Sequence, residues 1–304
     1  MGSTTTTAVF PAWSAIAVAL VIGQLIHRKF NLTLLSICGV AALYFSIYIG
    51  SQLPIALPDQ LFGLTANGSW IVILFVYAAI ASMLPVWVLL QPRDFINGLQ
   101  LFIGLFLLYG AVLLSLPEIT APAFNTMLPA NAPSLVPLLF VTIACGAISG
   151  FHGLVASGTT SKQVNKMCDA RVIGYGAMLG EGLLALIATL AVGAGLADFA
   201  SHYHHMPNGP QGVGMFVEGA GTFLMAIGIP KHPAQVLVAV LVISFAATSL
   251  DTGVRIQRFI LAELGSVWNI DALKNRFVGG LLAVVLPLLL FLAGKEGTLW
   301  PLFG

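Results

Sequence analysis

Long apolar runs without charged residues constrain the fold of this chain more than any other feature of its sequence. Residues 30–58, 60–92, 95–117 and 119–161 contain no Asp, Glu, Lys or Arg. Each run exceeds the roughly 20 apolar residues that a helix needs to cross the hydrocarbon core of a bilayer. Charged residues make up 8% of the 304 residues, against about 25% in soluble domains. The pattern predicts an all-α membrane protein with several spans and excludes a soluble globular domain.

Eight membrane-spanning helices are predicted from the apolar runs and their flanks, and together they form a single transmembrane domain over residues 1–304. We place them at 8–26, 31–50, 69–90, 98–116, 135–156, 172–195, 233–250 and 277–294. This arrangement puts ten of the twelve Lys and Arg residues on the inner side, as the positive-inside rule favours. Adding 213–229 as a ninth span reduces the bias to eight against four. We therefore expect 213–229 to be a re-entrant or surface helix in an outer loop.

The charge and the cysteine content of the chain argue against a nucleic-acid surface and against a metal site. The net charge is +1 and the basic residues are dispersed, so the chain lacks a surface for nucleic acid. Cys38, Cys145 and Cys168 are far apart and form no CxxC pair, which disfavours a disulfide framework and a thiolate metal site. We expect no metal centre and no cofactor.

Glu181 is an acidic residue in the middle of an apolar span. It lies about nine residues into 172–195, a depth that places its carboxyl group inside the hydrocarbon. The residues on its helix face are mostly small, so we expect Glu181 to face neighbouring helices rather than lipid. It is a candidate proton carrier or ion ligand; the alternative is a structural hydrogen bond to a neighbouring helix.

The stretch GFHGLVASGTTSKQ, residues 150–163, combines glycines, a histidine and hydroxyl side chains at the inner end of a span. Glycine disfavours a helix interior by about 1 kcal/mol relative to alanine, so we expect a break within 146–160. A broken helix frees backbone groups that can bind a ligand. The alternative is that Gly146 and Gly150 only allow close helix packing. The candidate substrate contacts here are Ser149, Gly150, Phe151, His152, Ser157, Thr159 and Thr160.

Two prolines at the end of another span predict a kink or a break. Pro85 and Pro92 belong to the stretch PVWVLLQPRDFIN, residues 85–97. Trp87 and Gln91, which lie between them, are candidate substrate contacts, although an interfacial anchor is the commoner role of tryptophan.

The remaining candidates are charged residues near the inner ends of two spans. Arg93 and Asp94 indicate an ion pair on the inner surface more than a substrate clamp. Asp251 and Thr252 belong to the stretch SLDTGVRIQRF and could form a cation or proton site. The alternative for this second pair is helix capping.

Five stretches of the chain, in the same order, resemble the carbon starvation protein A family. They are PVWVLLQPRDFIN, GFHGLVASGTTSKQ, YGAMLGEGLLALIA, SLDTGVRIQRF and GTLWPLFG, which span most of the chain from residue 85 onward. The resemblance implies a bacterial inner-membrane carrier for peptides or pyruvate, built as part of a leucine-transporter-type inverted-repeat bundle. Members of the family extend further at both ends, so we expect this chain to be a shortened member or a fragment.

The function that these features favour is secondary transport across the bacterial inner membrane. We predict uptake of a peptide or a small carboxylate such as pyruvate, coupled to a proton, with helices that rock around a midplane site. The partners are then the substrate, a proton and the lipid bilayer. Two alternatives stay open: an intramembrane enzyme that uses Glu181 or Asp251, and a fragment that is inactive alone. The lack of a partner nucleophile or a metal-ligand set counts against the enzyme.

Overall fold

Helices make up nearly all of the regular structure in the computed structural model. The structure describes residues 2–58, 60–61, 64–123, 136, 140, 150–199 and 212–294. In chain order, the elements are α1 (Gly2–His27), α2 (Leu32–Gln52), β1 (Gln60–Leu61), β2 (Leu64–Thr65), α3 (Ala66–Met83), α4 (Leu90–Ser115), α5 (Gly150–Gly158), a 3₁₀ helix (Thr160–Lys162), α6 (Asp169–Ala194), α7 (Gly212–Ala226), α8 (Lys231–Val267), α9 (Asp271–Lys274) and α10 (Arg276–Leu292). The two short strands pair antiparallel, with Gln60 opposite Thr65. The prediction of an all-α protein is confirmed apart from this hairpin.

Six helices are long and apolar enough to cross a membrane among the residues that the structure describes. They are α1, α2, α3, α4, α6 and α8, while α7 and α10 are shorter apolar helices. The spans predicted at 8–26, 31–50, 98–116, 172–195 and 233–250 each lie within one of the long helices, to within one residue at either end. The polytopic architecture is therefore confirmed. Most of 135–156 lies outside the described residues, so the count of eight stays a prediction.

Pro85 ends α3 earlier than the predicted span 69–90 allows. A proline disfavours the helical conformation of the residue before it, and Leu84 is extended, with φ −70° and ψ 148°. As a result α3 ends at Met83, and α4 begins at Leu90. The break that the prolines predict is confirmed, and the span itself is shorter than predicted.

The glycines of α5 do not interrupt it. This helix is continuous from Gly150 through Gly158, including Gly153 in its interior. The chain leaves the α-helical conformation at Thr159, ahead of the 3₁₀ helix. Residues 146–149, where the predicted break could also lie, are outside the described part of the chain.

The first of two compact units comprises Met1–Ala56, Trp87–Ala130 and Ala170–Ala247. Its largest apolar core is formed mainly by side chains of α4, α6, α7 and the first part of α8, among them Leu108, Ile187, Phe223 and Val238. A second cluster joins α1 and α2 to the start of α4 through Ile22, Leu35 and Ile96. Apolar burial of this kind holds the helices of the unit together.

One face of the helix α7 is packed closely against other helices of this unit. Phe223 and Leu224 are 1% and 0% exposed, and a Cβ atom at Gly219 would collide with the backbone carbonyl of Ala191 on α6. Glycine at this position lets two helix backbones touch. The glycines that make 213–229 a poor lipid-facing helix thus serve close packing. The expectation of a re-entrant or surface helix stays a prediction.

The second compact unit comprises Leu57–Val86, Asn131–Asp169 and Thr248–Gly304. It holds the hairpin, α3, α5, the 3₁₀ helix, the last part of α8, α9 and α10. Ala78, Val254, Ala283 and Val284 form its buried core, so α3, α8 and α10 pack together. The helix α8 belongs to both units and continues to Val267, well beyond the predicted end of its span at 250.

Candidate functional site

A buried carboxyl group lies in the second unit, where α8 packs against α3. Asp251 is 3% exposed, and its Oδ2 atom accepts a hydrogen bond of 2.7 Å from the hydroxyl group of Tyr77 on α3. Thr248, one turn earlier on α8, and the adjacent Thr252 are also buried. Ionisable groups are expensive inside a membrane-spanning helix and are retained there mainly for function. Two of the three residues predicted to couple transport to a proton or an ion, Asp251 and Thr252, are thus buried side by side.

Arg255 and Arg258 bind the carboxyl end of α3. The last carbonyl groups of a helix lack a partner within their own helix. Arg255 Nη2 donates to the carbonyl oxygens of Ala81 at 3.1 Å and Leu84 at 2.8 Å. Arg258 Nη1 donates to the carbonyl oxygen of Ser82 at 2.7 Å. Positive charge is favourable at this end of a helix dipole, so the arginines fix the end of α3 against α8.

A row of polar side chains on α4 is buried in the first unit. Arg93, Asn97 and Gln100, which we name the α4 polar face, follow one another at helical spacing and are 2%, 3% and 1% exposed. Asn97 Nδ2 donates to the backbone carbonyl oxygen of Ser244 on α8 at 3.5 Å. Further along the same face of α4, a Cβ atom at Gly104 would lie 2.6 Å from a methyl carbon of Leu241. The α4 polar face therefore lies against α8.

Two side chains at this contact have polar atoms without a partner among the described residues. The amide atoms Oε1 and Nε2 of Gln100 and the hydroxyl oxygen of Ser244 are buried with no hydrogen bond to any residue that the structure describes. An unpaired buried polar group costs about 1–3 kcal/mol. Native proteins keep few such groups, and a functional role is one of the established reasons for keeping them.

Glu181 lies on a face of α6 that is exposed in the first unit. It lines a groove of about 570 Å³ between α4 and α6, whose other walls are apolar side chains and glycines. Ile187 and Ala191 are the residues of α6 that are buried in the described part of the chain. Glu181 is thus exposed to this groove beside α4, and the expectation that it faces neighbouring helices stays a prediction. Its role in proton coupling stays a prediction.

The predicted substrate contacts between the two prolines lie in the first unit and are exposed. The ring of Trp87 stacks on that of His27, with 4.8 Å between the centroids. Gln91 is exposed in the first turn of α4. Arg93, by contrast, is buried, because it lies on the packed face of α4. Its ion pair with Asp94 on the inner surface stays a prediction.

The candidates between residues 149 and 160 belong to the second unit. His152 and Ser157 on α5 are exposed, while Thr159 and Thr160 are half-buried. The Ser157 hydroxyl donates to the carbonyl oxygen of Leu154 at 3.3 Å, a local bond within α5. Ser149 lies outside the described part of the chain, as do the burial of Gly150 and the side chain of Phe151. The role of this group in substrate binding is untested and stays a prediction.

A family model described as carbon starvation protein CstA matches residues 2–200 and 195–304. The peptide transporter CstA of Bacillus subtilis is 32% identical over 337 residues, which cover 97% of this chain and 55% of the relative. The peptide transporter CstA of Helicobacter pylori is 30% identical, with coverage of 91% and 49%. The pyruvate/proton symporter BtsT of Escherichia coli is 38% identical over 195 residues, with coverage of 60% and 26%.

These matches agree with the family that the five sequence stretches resemble. Each of the three relatives is named for transport rather than for an enzymatic activity. The chain spans about half the length of the two CstA relatives, and less of BtsT. No solved structure matches the chain. Together with the long apolar helices, the relatives show a multi-pass protein of the bacterial inner membrane.

Proposed function

The chain belongs to the carbon starvation protein CstA family, and from this premise we propose that it is a proton-coupled secondary transporter for peptides or small carboxylates such as pyruvate. The names of the relatives support both substrate classes, and that of BtsT supports proton coupling. The observation that carries the proposal is the buried carboxyl group of Asp251, bonded to Tyr77 between two membrane-spanning helices.

Asp251 is the residue that we propose to exchange the coupling proton, with Thr252 beside it. A carboxyl group inside the bilayer needs a hydrogen-bond donor or a proton to compensate for its lost hydration. Tyr77 supplies a donor to one oxygen at 2.7 Å. Helices that rock between inward-open and outward-open states would expose such a group to each side in turn, so that it binds a proton on one side and releases it on the other.

We propose that the α4 polar face, in the first unit, recognises the substrate. Peptides and pyruvate both carry a carboxylate, which a guanidinium group such as that of Arg93 binds well. The Gln100 amide offers a donor and an acceptor, and the Ser244 hydroxyl offers a second donor. A substrate that pairs with these atoms would remove the cost of their burial. This is a physical reason for a transporter to keep them.

Replacing Gln100 by leucine tests this assignment, with Gln91→Leu as the matched control on the same helix. Leucine preserves much of the side-chain volume but removes both polar atoms. We expect Gln100→Leu to weaken substrate binding and uptake by about tenfold, which corresponds to about 1.4 kcal/mol. Its free energy of unfolding should be unchanged or higher, because an unpaired polar group is lost. Gln91 is exposed, so its variant should bind like the wild type.

Binding of labelled pyruvate and of a labelled dipeptide to the purified chain, followed by counterflow in proteoliposomes, provides the measurement. Wild-type binding and uptake in the Gln100→Leu variant would reject the α4 polar face as the substrate site. A loss of more than about 2 kcal/mol in stability would instead assign Gln100 a structural hydrogen bond. Absence of binding and counterflow in the wild-type chain would reject transport by this chain itself.

A further inference from the structure

Two basic side chains from different elements of the second unit meet over one aromatic ring. Lys162 Nζ, at the end of the 3₁₀ helix, lies 5.5 Å from the centroid of the Phe259 ring. The guanidinium carbon of Arg258 on α8 lies 5.0 Å from the same centroid. Attraction to the ring holds each cation in place, so two positive charges lie around the same side chain.

A third basic side chain belongs to the same cluster. The stem of Arg258 packs on the first turns of α10, where a Cβ atom at Gly279 would lie 3.4 Å from Arg258 Cγ. Arg276 is the first residue of α10, one turn before Gly279, and is close enough to repel Arg258. The amino end of α10 adds the positive end of a helix dipole. We name Lys162, Arg258 and Arg276 the basic cluster.

The basic cluster lacks a counter-ion in the part of the chain that the structure describes. In the described part of the chain, no carboxylate forms an ion pair with any of its three members. Asp271 on α9 is engaged elsewhere, because it accepts a hydrogen bond of 2.7 Å from Lys274, which lowers the pKa of its carboxyl group. Gathering like charges without a counter-ion is unfavourable. An anionic ligand would remove this repulsion.

Exposed apolar side chains next to the cluster identify the kind of anion. Phe259 and Ile260 on α8 and Phe277 on α10 are all exposed, and the guanidinium group of Arg276 lies over the Phe277 ring at 4.8 Å. A ligand that fits both the positive charge and the apolar surface has a negatively charged group and an apolar tail. The positive-inside rule places Lys162 and Arg276 on the inner side, where membranes present anionic lipids.

We propose that the basic cluster binds the phosphate of an anionic phospholipid of the inner leaflet, with an acyl chain against Phe259, Ile260 and Phe277. The lipid supplies the missing negative charge to three elements of the second unit at once: the 3₁₀ helix, α8 and α10. Arg258 also donates to the carbonyl oxygen of Ser82. The side chain of Arg258 therefore connects the bound lipid to the end of α3.

The test compares two double variants of the full chain that remove the same charge. Lys162→Gln with Arg276→Gln alters the basic cluster, and Lys166→Gln with Arg28→Gln removes two other exposed cations of the predicted inner side. Binding of phosphatidylglycerol and phosphatidylcholine to the detergent-solubilised protein is measured by native mass spectrometry. Circular dichroism checks that helix content is unchanged.

We expect the wild type and the control variant to retain phosphatidylglycerol over phosphatidylcholine, and the cluster variant to bind it about tenfold more weakly or less. Equal binding by the cluster variant and the wild type would overturn the proposal. An equal loss in both variants would also overturn it, because binding would then depend only on net charge. Displacement of phosphatidylglycerol by inorganic phosphate would contradict a lipid site and indicate a site for a soluble anion.

Discussion

Asp251 and Glu181 are both acidic residues of long apolar helices, yet their surroundings differ. Asp251 is buried in the second unit, with Tyr77 donating to its carboxyl group. Glu181 is exposed in the first unit and lines a groove with apolar walls. The sequence places each of them in or near a predicted span, and on that basis Glu181 has the deeper position.

The difference teaches that depth along a helix does not determine how far an acidic residue is buried. The burial of Asp251 comes from packing against a neighbouring helix. The Tyr77 hydroxyl and the carbonyl groups at the carboxyl end of α3 bind side chains of α8. For α6, most of the residues around Glu181 are exposed in the described part of the chain. Asp251 is therefore the stronger candidate for coupling.

The largest effect on stability is expected from Arg255→Met. Methionine fills part of the same space but cannot donate to Ala81 and Leu84, so two carbonyl oxygens lose a charged donor where water is scarce. We expect the free energy of unfolding in detergent to fall by about 3 kcal/mol. Arg276→Met, at an exposed position, should change it by less than about 0.5 kcal/mol. Similar values for both variants would show that the end of α3 does not depend on Arg255.

A smaller effect is expected from Tyr77→Phe, which removes only the hydroxyl group bonded to Asp251. The loss of one hydrogen bond to a carboxyl group should lower the free energy of unfolding by about 1–2 kcal/mol. Tyr175→Phe is the control, because Tyr175 is exposed on α6. If thermal unfolding in detergent is the same for both variants, the Tyr77 hydroxyl does not stabilise Asp251.

The smallest effect is expected from Glu181→Gln. Its carboxyl group is exposed, and glutamine keeps the size of the side chain, so the free energy of unfolding should change by less than about 0.5 kcal/mol. A decrease of 2 kcal/mol or more would mean that Glu181 makes a structural hydrogen bond, and would remove the contrast with Asp251. Chemical unfolding of the two proteins in the same detergent gives the comparison.

The helices could be predicted from sequence because bilayer thickness and proline chemistry act locally. Apolar runs of sufficient length placed five spans within long helices, and Pro85 marked the end of α3. The burial of α7 could not be predicted, since it depends on the fit of Gly219 against the backbone of Ala191 on another helix. A glycine-rich segment with an acidic residue is compatible with a surface helix as well as with a tightly packed one.

The candidate site was predictable only in part. Asp251 stood out as an acid near a span, but its partner Tyr77 is 174 residues away in sequence, and nothing local connects the two. The α4 polar face did leave a signal, because Arg93, Asn97 and Gln100 are spaced by four and three residues and so share one side of a helix. Its two uncharged members were missed because their burial depends on contact with α8, where the partner of Asn97 is 147 residues away in sequence.

Proton-driven uptake in the Asp251→Asn and Glu181→Gln variants tests the central claim most directly. Asparagine preserves the size of the Asp251 side chain and can still accept from Tyr77, but it cannot exchange a proton. In proteoliposomes with an inward proton gradient, we predict that Asp251→Asn reduces accumulation of labelled substrate to the level of protein-free liposomes while counterflow persists. Glu181→Gln should accumulate substrate like the wild type. Wild-type accumulation in Asp251→Asn would contradict the assignment of Asp251 as the coupling residue, and its loss in Glu181→Gln would assign that role to Glu181.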